Sequence, residues 1–413
     1  MTEPFVIEVP DGSDFSRDNL PLGIGAPAGE RDRAWVAVGD HAIDLGTVQR
    51  AGLLEGLGLP DGCFADDDLH RFLRSGPGVW HATRRRLAEL AREPVDAGWV
   101  RLRSDLEMSL PIRPVDFVDF YSSLHHATNL GRLFRPDDEP LLPNWRHLPV
   151  GYHGRTGTLV PTDSVIARPH GLRLVDDSPV FGPSAALDIE LEVGTVVGVG
   201  SALGTPVAIE DAADHLYGMC LVNDWSARDV QSFEYQPLGP FLGKSFATSV
   251  GPWLVSFEAL EPYRVASPVQ DPPVSDYLRT NEPWGFDLHL EVWIETAAMR
   301  AAGEPPVRLS EVGFADMYWS PAQHVAHMTV NGASTSTGDL FASGTVSGPS
   351  PGSHGSLIEM TANGVAPIEL PDGSTRCFLE DGDRIILRGW AGGGDRPRVG
   401  FGELTGTIDS GER

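Results

Sequence analysis

The chain has 413 residues and a formal net charge of -27, with 47 glycines, 34 prolines and three cysteines. That length is enough to bury a large core and suggests two domains or one large domain with a smaller companion. The charge argues against nucleic acid, whose phosphates would be repelled. Three widely spaced cysteines form neither a disulfide framework nor a thiolate metal cluster. No apolar run approaches a membrane span, and the first residues lack the basic and apolar regions of a signal peptide, so a soluble cytoplasmic protein is expected.

Abundant Gly and Pro with few long helical patterns predict a mostly β, α+β chain rich in turns. Residues 1–111 read as a small unit and 112–413 as a larger one, with the Pro-punctuated stretch Pro111 to Pro114 between them. In the first unit, Trp35-Val36-Ala37-Val38 and His41-Ala42-Ile43-Asp44-Leu45 flank Gly39-Asp40, which predicts a hairpin with a two-residue turn. Two short helices are expected between Asp67 and Glu93, broken at Gly76-Pro77-Gly78, with Arg84-Arg85-Arg86 as a solvated face. This unit shows no catalytic constellation.

In the second unit, Asp116 to Tyr121 alternates polar and apolar residues loosely. Leu124 to Gly131 then suggests a helix closed by Gly131, bringing Asp119 and His126 near each other. Taken alone, His126 reads as a surface or capping histidine more readily than as a catalytic base. His147 and His153 invite a zinc reading, but their spacing is not that of a helical metal pair and no thiolate is near. Leu187-Asp188-Ile189-Glu190-Leu191-Glu192-Val193 alternates strictly, which predicts a strand with Glu190 and Glu192 on one face, roughly 7 Å apart. An apolar run, Met219 to Val222, predicts a buried strand that delivers Asn223 and Asp224 at its end. A helical turn after it would set Arg228 and Gln231 beside Asp224. Asp119, Glu190, Glu192 and Asp224 together are four hard oxygen donors. They suit Ca²⁺, Mg²⁺ or Mn²⁺ rather than zinc, although on an exposed sheet the same acids would simply be solvated.

Lys244 is the only lysine in the chain, and it stands beside Gly243. A chain that otherwise uses arginine suggests a task there that a guanidinium does not fill, although composition alone equally allows that one lysine survived by chance. Phe314 to Thr329 is expected to be a helix. Gly338 to Gly348 reads as a strand entering a Gly/Ser loop, where Thr345 could help grip an anion. Leu357-Ile358-Glu359-Met360 reads as an apolar strand whose one glutamate, if buried, needs a partner.

Several of these blocks resemble the fumarylacetoacetase family, in order and along the whole chain. They are Asp119-Phe120-Tyr121-Ser122-Ser123, His126-Ala127-Thr128-Asn129, Leu148-Pro149-Val150-Gly151-Tyr152-His153-Gly154-Arg155, Asn223-Asp224-Trp225-Ser226-Ala227-Arg228-Asp229, Pro237 to Phe246 and Ala342-Ser343-Gly344-Thr345. The resemblance implies a small SH3-like N-terminal barrel, a larger C-terminal mixed β-roll and a homodimer. It implies hydrolysis of the carbon–carbon bond of the small molecule 4-fumarylacetoacetate, the last step of tyrosine and phenylalanine catabolism. A relative acting on another acylpyruvate or diketo acid is the alternative, and a metal-binding scaffold without activity would lack the base. The family's calcium ligands fall on Asp119, Glu190, Glu192 and Asp224, and a magnesium site on Asp224, Lys244 and Thr248. The base falls on His126 with Glu359 as its partner. Oxyanion-stabilising groups fall on Arg228, Gln231 and Lys244, and substrate contacts on Tyr121, Arg135, Tyr152, Gln231, Tyr235 and Thr345. One departure is Leu124-His125, where animal members carry a more polar, charged pair.

Overall fold

The computed structural model describes residues 4–411; the outer ends of the two expected units, at 1 and 413, lie outside them. The expected hairpin is present after a first strand, β1 (Leu22–Pro27). It consists of β2 (Arg33–Val38) and β3 (His41–Asp44), which meet at Val38 and His41. Gly39, in the turn, has φ +55°, the left-handed region that glycine adopts without a steric penalty. A short helical segment, His70–Leu73, precedes α1 (Pro77–Leu90), with the break at Gly76. Trp80, Leu87 and Leu90 on α1 are buried. Of the arginine run, Arg85 is exposed, while Arg84 folds back to donate to the carbonyls of Asp18 and Asn19.

The strands β4 (Val100–Leu102) and β5 (Leu106–Ser109) complete the first segment. The expected barrel does not form. Apart from Val95–Asp96, which pairs with Pro4–Phe5, the strands of residues 22–109 belong to an open 13-stranded sheet that runs on into the second segment. Strand β1 pairs with β2 and β5, and its start pairs antiparallel with β11 (Trp253–Ser256), Leu22 opposite Leu254. Closure would require β4 and β5 to join, and they do not; the free side of β1 is taken by a strand far along the chain. The architecture is therefore mixed α+β without a closed sheet among the described residues.

The other half of that sheet uses β6 (Phe117–Phe120), β7 (Gly151–His153), β9 (Leu191–Val197), β10 (Leu216–Asn223) and β14 (Leu340–Ala342). The spatial order is β4-β3-β2-β1-β11-β10-β9-β14-β6-β7. Strand β10 is buried along its whole length, as an apolar run at a sheet centre requires. A five-stranded sheet lies against it, ordered β8 (Ser164–Ala167), β16 (Arg396–Asp409), β15 (Arg384–Gly393), β12 (Leu288–Glu295) and β13 (Val307–Gly313). The sheets approach closely at Gly389, where an added Cβ would stand 2.7 Å from Leu290 and 3.0 Å from Leu221. Leu221, Leu290, Leu387 and Phe401 share one core cluster. No helix among the described residues is long and apolar enough to cross a membrane.

Three local expectations need correction. The helix α2 (Leu124–Phe134) passes through Gly131 instead of ending there; a Cβ at Gly131 would stand 1.9 Å from the Pro140 carbonyl, so glycine permits a close backbone approach. Phe314 to Thr329 is split into a short 3₁₀ turn, Phe314–Asp316, and α4 (Pro321–Thr329), which starts at a capping box formed by Ser320 and Gln323. Leu357–Met360 is a helical turn, α5, not a strand. Its first N–H groups, on Leu357 and Ile358, donate to the Asp188 carboxylate at 2.7 and 3.1 Å.

Candidate active site

The four acids singled out by the sequence converge. Asp119 lies on β6, Glu192 on β9, Glu190 just before β9, and Asp224 directly after β10. The Asp224 N–H donates to the Glu190 carbonyl at 3.1 Å, which ties the end of β10 to the start of β9. Oxygens from Asp119, Glu190, Glu192 and Asp224 lie within 4.8 Å of one another, and all four residues are buried. Leu187–Asp188 pairs with Ser226–Ala227 instead of continuing β9, so the expected strand is interrupted at Ile189 and Glu190. Asp188 is buried beside the cluster, a third acid in the same alternation.

Three buried cations face these five carboxylates. Lys244, 2% exposed, bonds both Asp224, at 2.8 Å, and Glu190. Arg228, which opens α3 (Arg228–Glu234), contacts Asp188 at 2.8 Å and Glu190 at 2.7 Å, rather than Asp224 as expected; Gln231 on the same helix accepts from it at 3.2 Å. Arg155 contacts Asp119 at 2.7 Å and Asp224 at 2.6 Å. Thr248 donates to Asp224 at 2.8 Å. Two formal negative charges are left over, and they fall on identifiable groups. Burial raises Glu190, but Lys244 and Arg228 outweigh it and hold the carboxyl well below its usual range. Burial likewise opposes Asp224, which Arg155 and Lys244 hold down. Burial, with repulsion from Asp224, pushes Asp119 up to about 7. Burial, with repulsion from Asp119 and Asp224, pushes Glu192 far above its usual range.

This donor set fits a divalent cation. Glu192 Oε1 is buried without a hydrogen-bond partner, while Oε2 accepts only a 3.2 Å bond from the Gly344 N–H. A dication would neutralise the two surplus charges, and all-carboxylate coordination suits a hard ion. His289, Glu291 and Glu311 form a second acidic group, on β12 and β13, but Arg308 already bonds both glutamates.

Beside the cluster, α2 presents His126. Ser123 caps the helix by accepting from the His126 N–H at 3.2 Å. His126 Nδ1 lies 2.7 Å from Glu359 Oε2, and Glu359 also accepts from Asn129, Ser347 and Ser356. Burial works against the Glu359 charge, but His126 and these donors bring its carboxyl down to about 2. An ionised acceptor at Nδ1 places the imidazole proton there and leaves Nε2 with a free lone pair.

A cavity of about 380 Å³ opens over both features. Tyr121, Arg135, Tyr152, Gln231, Tyr235 and Thr345, the six expected substrate contacts, all line it. So do His126, Arg228, Lys244, Asp119 and Glu190, whereas Glu192, Asp224, Thr248 and Glu359 stand behind its wall. Arg135 Nε, Arg228 Nη2 and Thr345 Oγ1 are buried without protein partners, which leaves donors available to oxygen atoms in the cavity. Another cavity of about 300 Å³, between α1 and Trp284, contains none of these groups.

Both segments of the chain match known protein families. The family described as Fumarylacetoacetase N-terminal matches residues 18–111, and Fumarylacetoacetate (FAA) hydrolase C-terminal matches residues 117–409. The chain belongs to the fumarylacetoacetase family. It is 42% identical to the fumarylacetoacetase of Arabidopsis thaliana over 415 residues, covering 97% of each chain. It is also 42% identical to that of Homo sapiens over 418 residues, covering 97% of this chain and 98% of the human one. Among solved structures, a fumarylacetoacetate hydrolase from Exiguobacterium antarcticum shares the fold, with a TM-score of 0.52 at 16% identity over 94% of this chain and 99% of that one.

Sequence reasoning passed over two residues of this fumarylacetoacetase-family site. Asp188 was legible as the first acid of the Asp188-Glu190-Glu192 alternation. Arg155 closes the block Leu148 to Arg155, but nothing local shows that its side chain turns inward.

Proposed function

We propose that this protein hydrolyses the carbon–carbon bond of 4-fumarylacetoacetate to fumarate and acetoacetate, the closing step of tyrosine and phenylalanine catabolism. The observation that carries the reading is His126, oriented by Glu359, facing the same cavity as Asp119 and Glu190 of the metal-fitting cluster. When bound, a divalent ion at Asp119, Glu190, Glu192 and Asp224 supplies Lewis-acid charge to the oxygens of a 1,3-diketone. The family resemblance supports calcium in that cluster, magnesium at Asp224, Lys244 and Thr248, a homodimer and a cytoplasmic location. It also supports reading residues 1–111 as the N-terminal unit and 112–413 as the catalytic one.

The chain's own groups perform the proton transfers. His126 Nε2 takes a proton from water while the water oxygen attacks a substrate carbonyl carbon. Glu359 accepts from Nδ1 throughout, holds the ring and stabilises the imidazolium. Arg228, Gln231 and Lys244 direct N–H groups at the oxyanion that forms. When the carbon–carbon bond breaks, its electron pair leaves with the acetoacetate fragment, which takes the proton held on His126 Nε2 and so restores the base; the other fragment leaves as fumarate. Arg135 and Thr345 suit the substrate's carboxylates, with Tyr121, Tyr152 and Tyr235 along the cavity wall.

The test is turnover of fumarylacetoacetate by purified protein, with and without a chelator. Equal release of fumarate and acetoacetate, lost on chelation and restored by a divalent ion, is expected. Metal-replete protein that leaves the substrate intact overturns the reading.

A further inference from the structure

Asp119 and Asp224 come from strands that do not touch, since β9 and β14 lie between β6 and β10. Backbone pairing alone does not bring their carboxylates together; one guanidinium does. Arg155 Nη2 contacts Asp119 Oδ2 at 2.7 Å and Nη1 contacts Asp224 Oδ1 at 2.6 Å, so a single planar group spans two separate acids. Nη2 is also 3.0 Å from the Tyr152 hydroxyl, which itself donates to Asp119 at 2.8 Å. The side chain is only 6% exposed, and its guanidinium lies over the rings of Phe117 and Tyr152 at 4.9 and 5.1 Å. Its Nε is buried without a partner. The backbone at Arg155 has φ +75° and ψ +13°, a left-handed conformation uncommon outside glycine. Such a conformation persists only where the surroundings enforce it, and it clusters at functional sites.

We propose that Arg155 is a built-in counter-cation of the metal centre: it bridges Asp119 and Asp224 while no ion is bound, and its charge lowers the affinity with which a divalent ion is then held. This rests on reading the four-carboxylate cluster as a divalent-metal site. Arg155 is a positioning residue here. Removing its charge has two consequences of opposite sign. The cluster becomes more negative and attracts a dication more strongly. The ion-free state loses its bridge and keeps an additional uncompensated buried charge. A purely structural role would instead lower both quantities together.

The experiment compares full-length wild type, Arg155→Met and Arg155→Lys after stripping with EDTA. Calcium chloride and magnesium chloride titrations by calorimetry give affinity, and scanning calorimetry in EDTA gives ion-free stability. Arg155→Met is expected to bind the ion about tenfold tighter or more, and to melt several degrees lower without it. Arg155→Lys keeps the charge but loses the two-acid span, so its affinity stays near wild type while its ion-free melting temperature falls. Unchanged or weaker affinity in Arg155→Met overturns the proposal. If that variant does not fold, a Lys variant whose affinity drops along with its stability overturns it equally. Wild-type protein that takes up neither ion removes the metal reading itself, a separately recognisable result.

Discussion

His126 Nδ1 and Glu359 Oε2 lie 2.7 Å apart although 233 positions separate them along the chain. Glu359 arrives on α5 with its charge supported by Asn129, Ser347 and Ser356, so the ring has one orientation and one tautomer. His126→Ala should leave fold and metal content intact while lowering kcat by about 10²–10⁴. Glu359→Gln should lower kcat as well, because an amide can present a donor to Nδ1 and reverse the tautomer. Half-buried His125 serves as the control. A silent His125→Ala together with an active His126→Ala would reassign the base.

Lys244 sits between Glu190 and Asp224 in a space fitted to a compact ammonium. At Gly243 an added Cβ would stand 2.8 Å from the Gln231 backbone nitrogen, so the loop cannot retreat to admit a larger group. Lys244→Arg should therefore cost about 10²–10³ in kcat, the order seen when one oxyanion donor is lost. Steady-state kinetics with metal content checked decides this; a near-wild-type arginine variant means that charge alone suffices.

Glu192 is the carboxylate of the cluster that makes no direct ion pair among the described residues, and burial with repulsion from Asp119 and Asp224 outweighs the pull of Lys244 on it. Glu192→Gln keeps its volume and deletes one of the two surplus charges. Divalent-ion affinity and activity should fall, while the protein in EDTA should melt higher than wild type, because a repelled buried group has gone. Calcium uptake and rate equal to wild type would remove Glu192 from the cluster.

His324 is buried, stacked on Phe120 at 4.0 Å, with Nε2 2.7 Å from the Ser122 hydroxyl. Burial, with the neighbouring His327, lowers it to about 3. The unfolded chain takes up this proton near its ordinary pKa of about 6.5, whereas the folded chain does not until about 3. Stability is thus independent of this group above the unfolded value and falls as pH drops through the window between the two. The slope approaches about 1.4 kcal/mol per pH unit. His324→Phe keeps the stack, and its melting temperature should decline less steeply than wild type between neutral pH and pH 4. Parallel declines would mean that His324 is protonated in the folded protein.

Gly131→Ala places a methyl group where the Pro140 carbonyl already stands. The helix α2, which carries His126, must shift to admit it. A loss of roughly 1–3 kcal/mol in stability is expected, with a lower kcat and an unchanged metal affinity. Denaturant melts, kinetics and ion titration separate the three readouts.

Much of the site was legible because its acids follow local patterns. The alternation around Glu190 and Glu192 and the apolar run ending at Asp224 both place a carboxylate where a strand stops or faces inward. What was misread depends on distant partners. Four apolar-rich residues, Leu357 to Met360, fit a strand as well as a helical turn, and the Asp188 carboxylate that caps the turn is far away in sequence. The left-handed backbone that turns Arg155 inward leaves no mark in the residues around it. The barrel expected of the first segment failed for the same reason: the strand that completes its sheet belongs to the second segment.

That last pairing has a temporal consequence. During synthesis, β1 is made early, yet its neighbour β11 emerges only with Trp253 and Leu254. At about 5–20 residues per second, the wait between the end of the first segment and that strand is roughly seven to thirty seconds. Throughout it, the Leu22–Gly23 side of β1 has unpaired amides. The nascent chain is therefore most exposed to wrong partners midway through translation, and a ribosome pause placed before Trp253 should lower soluble yield more than one placed after Ser256.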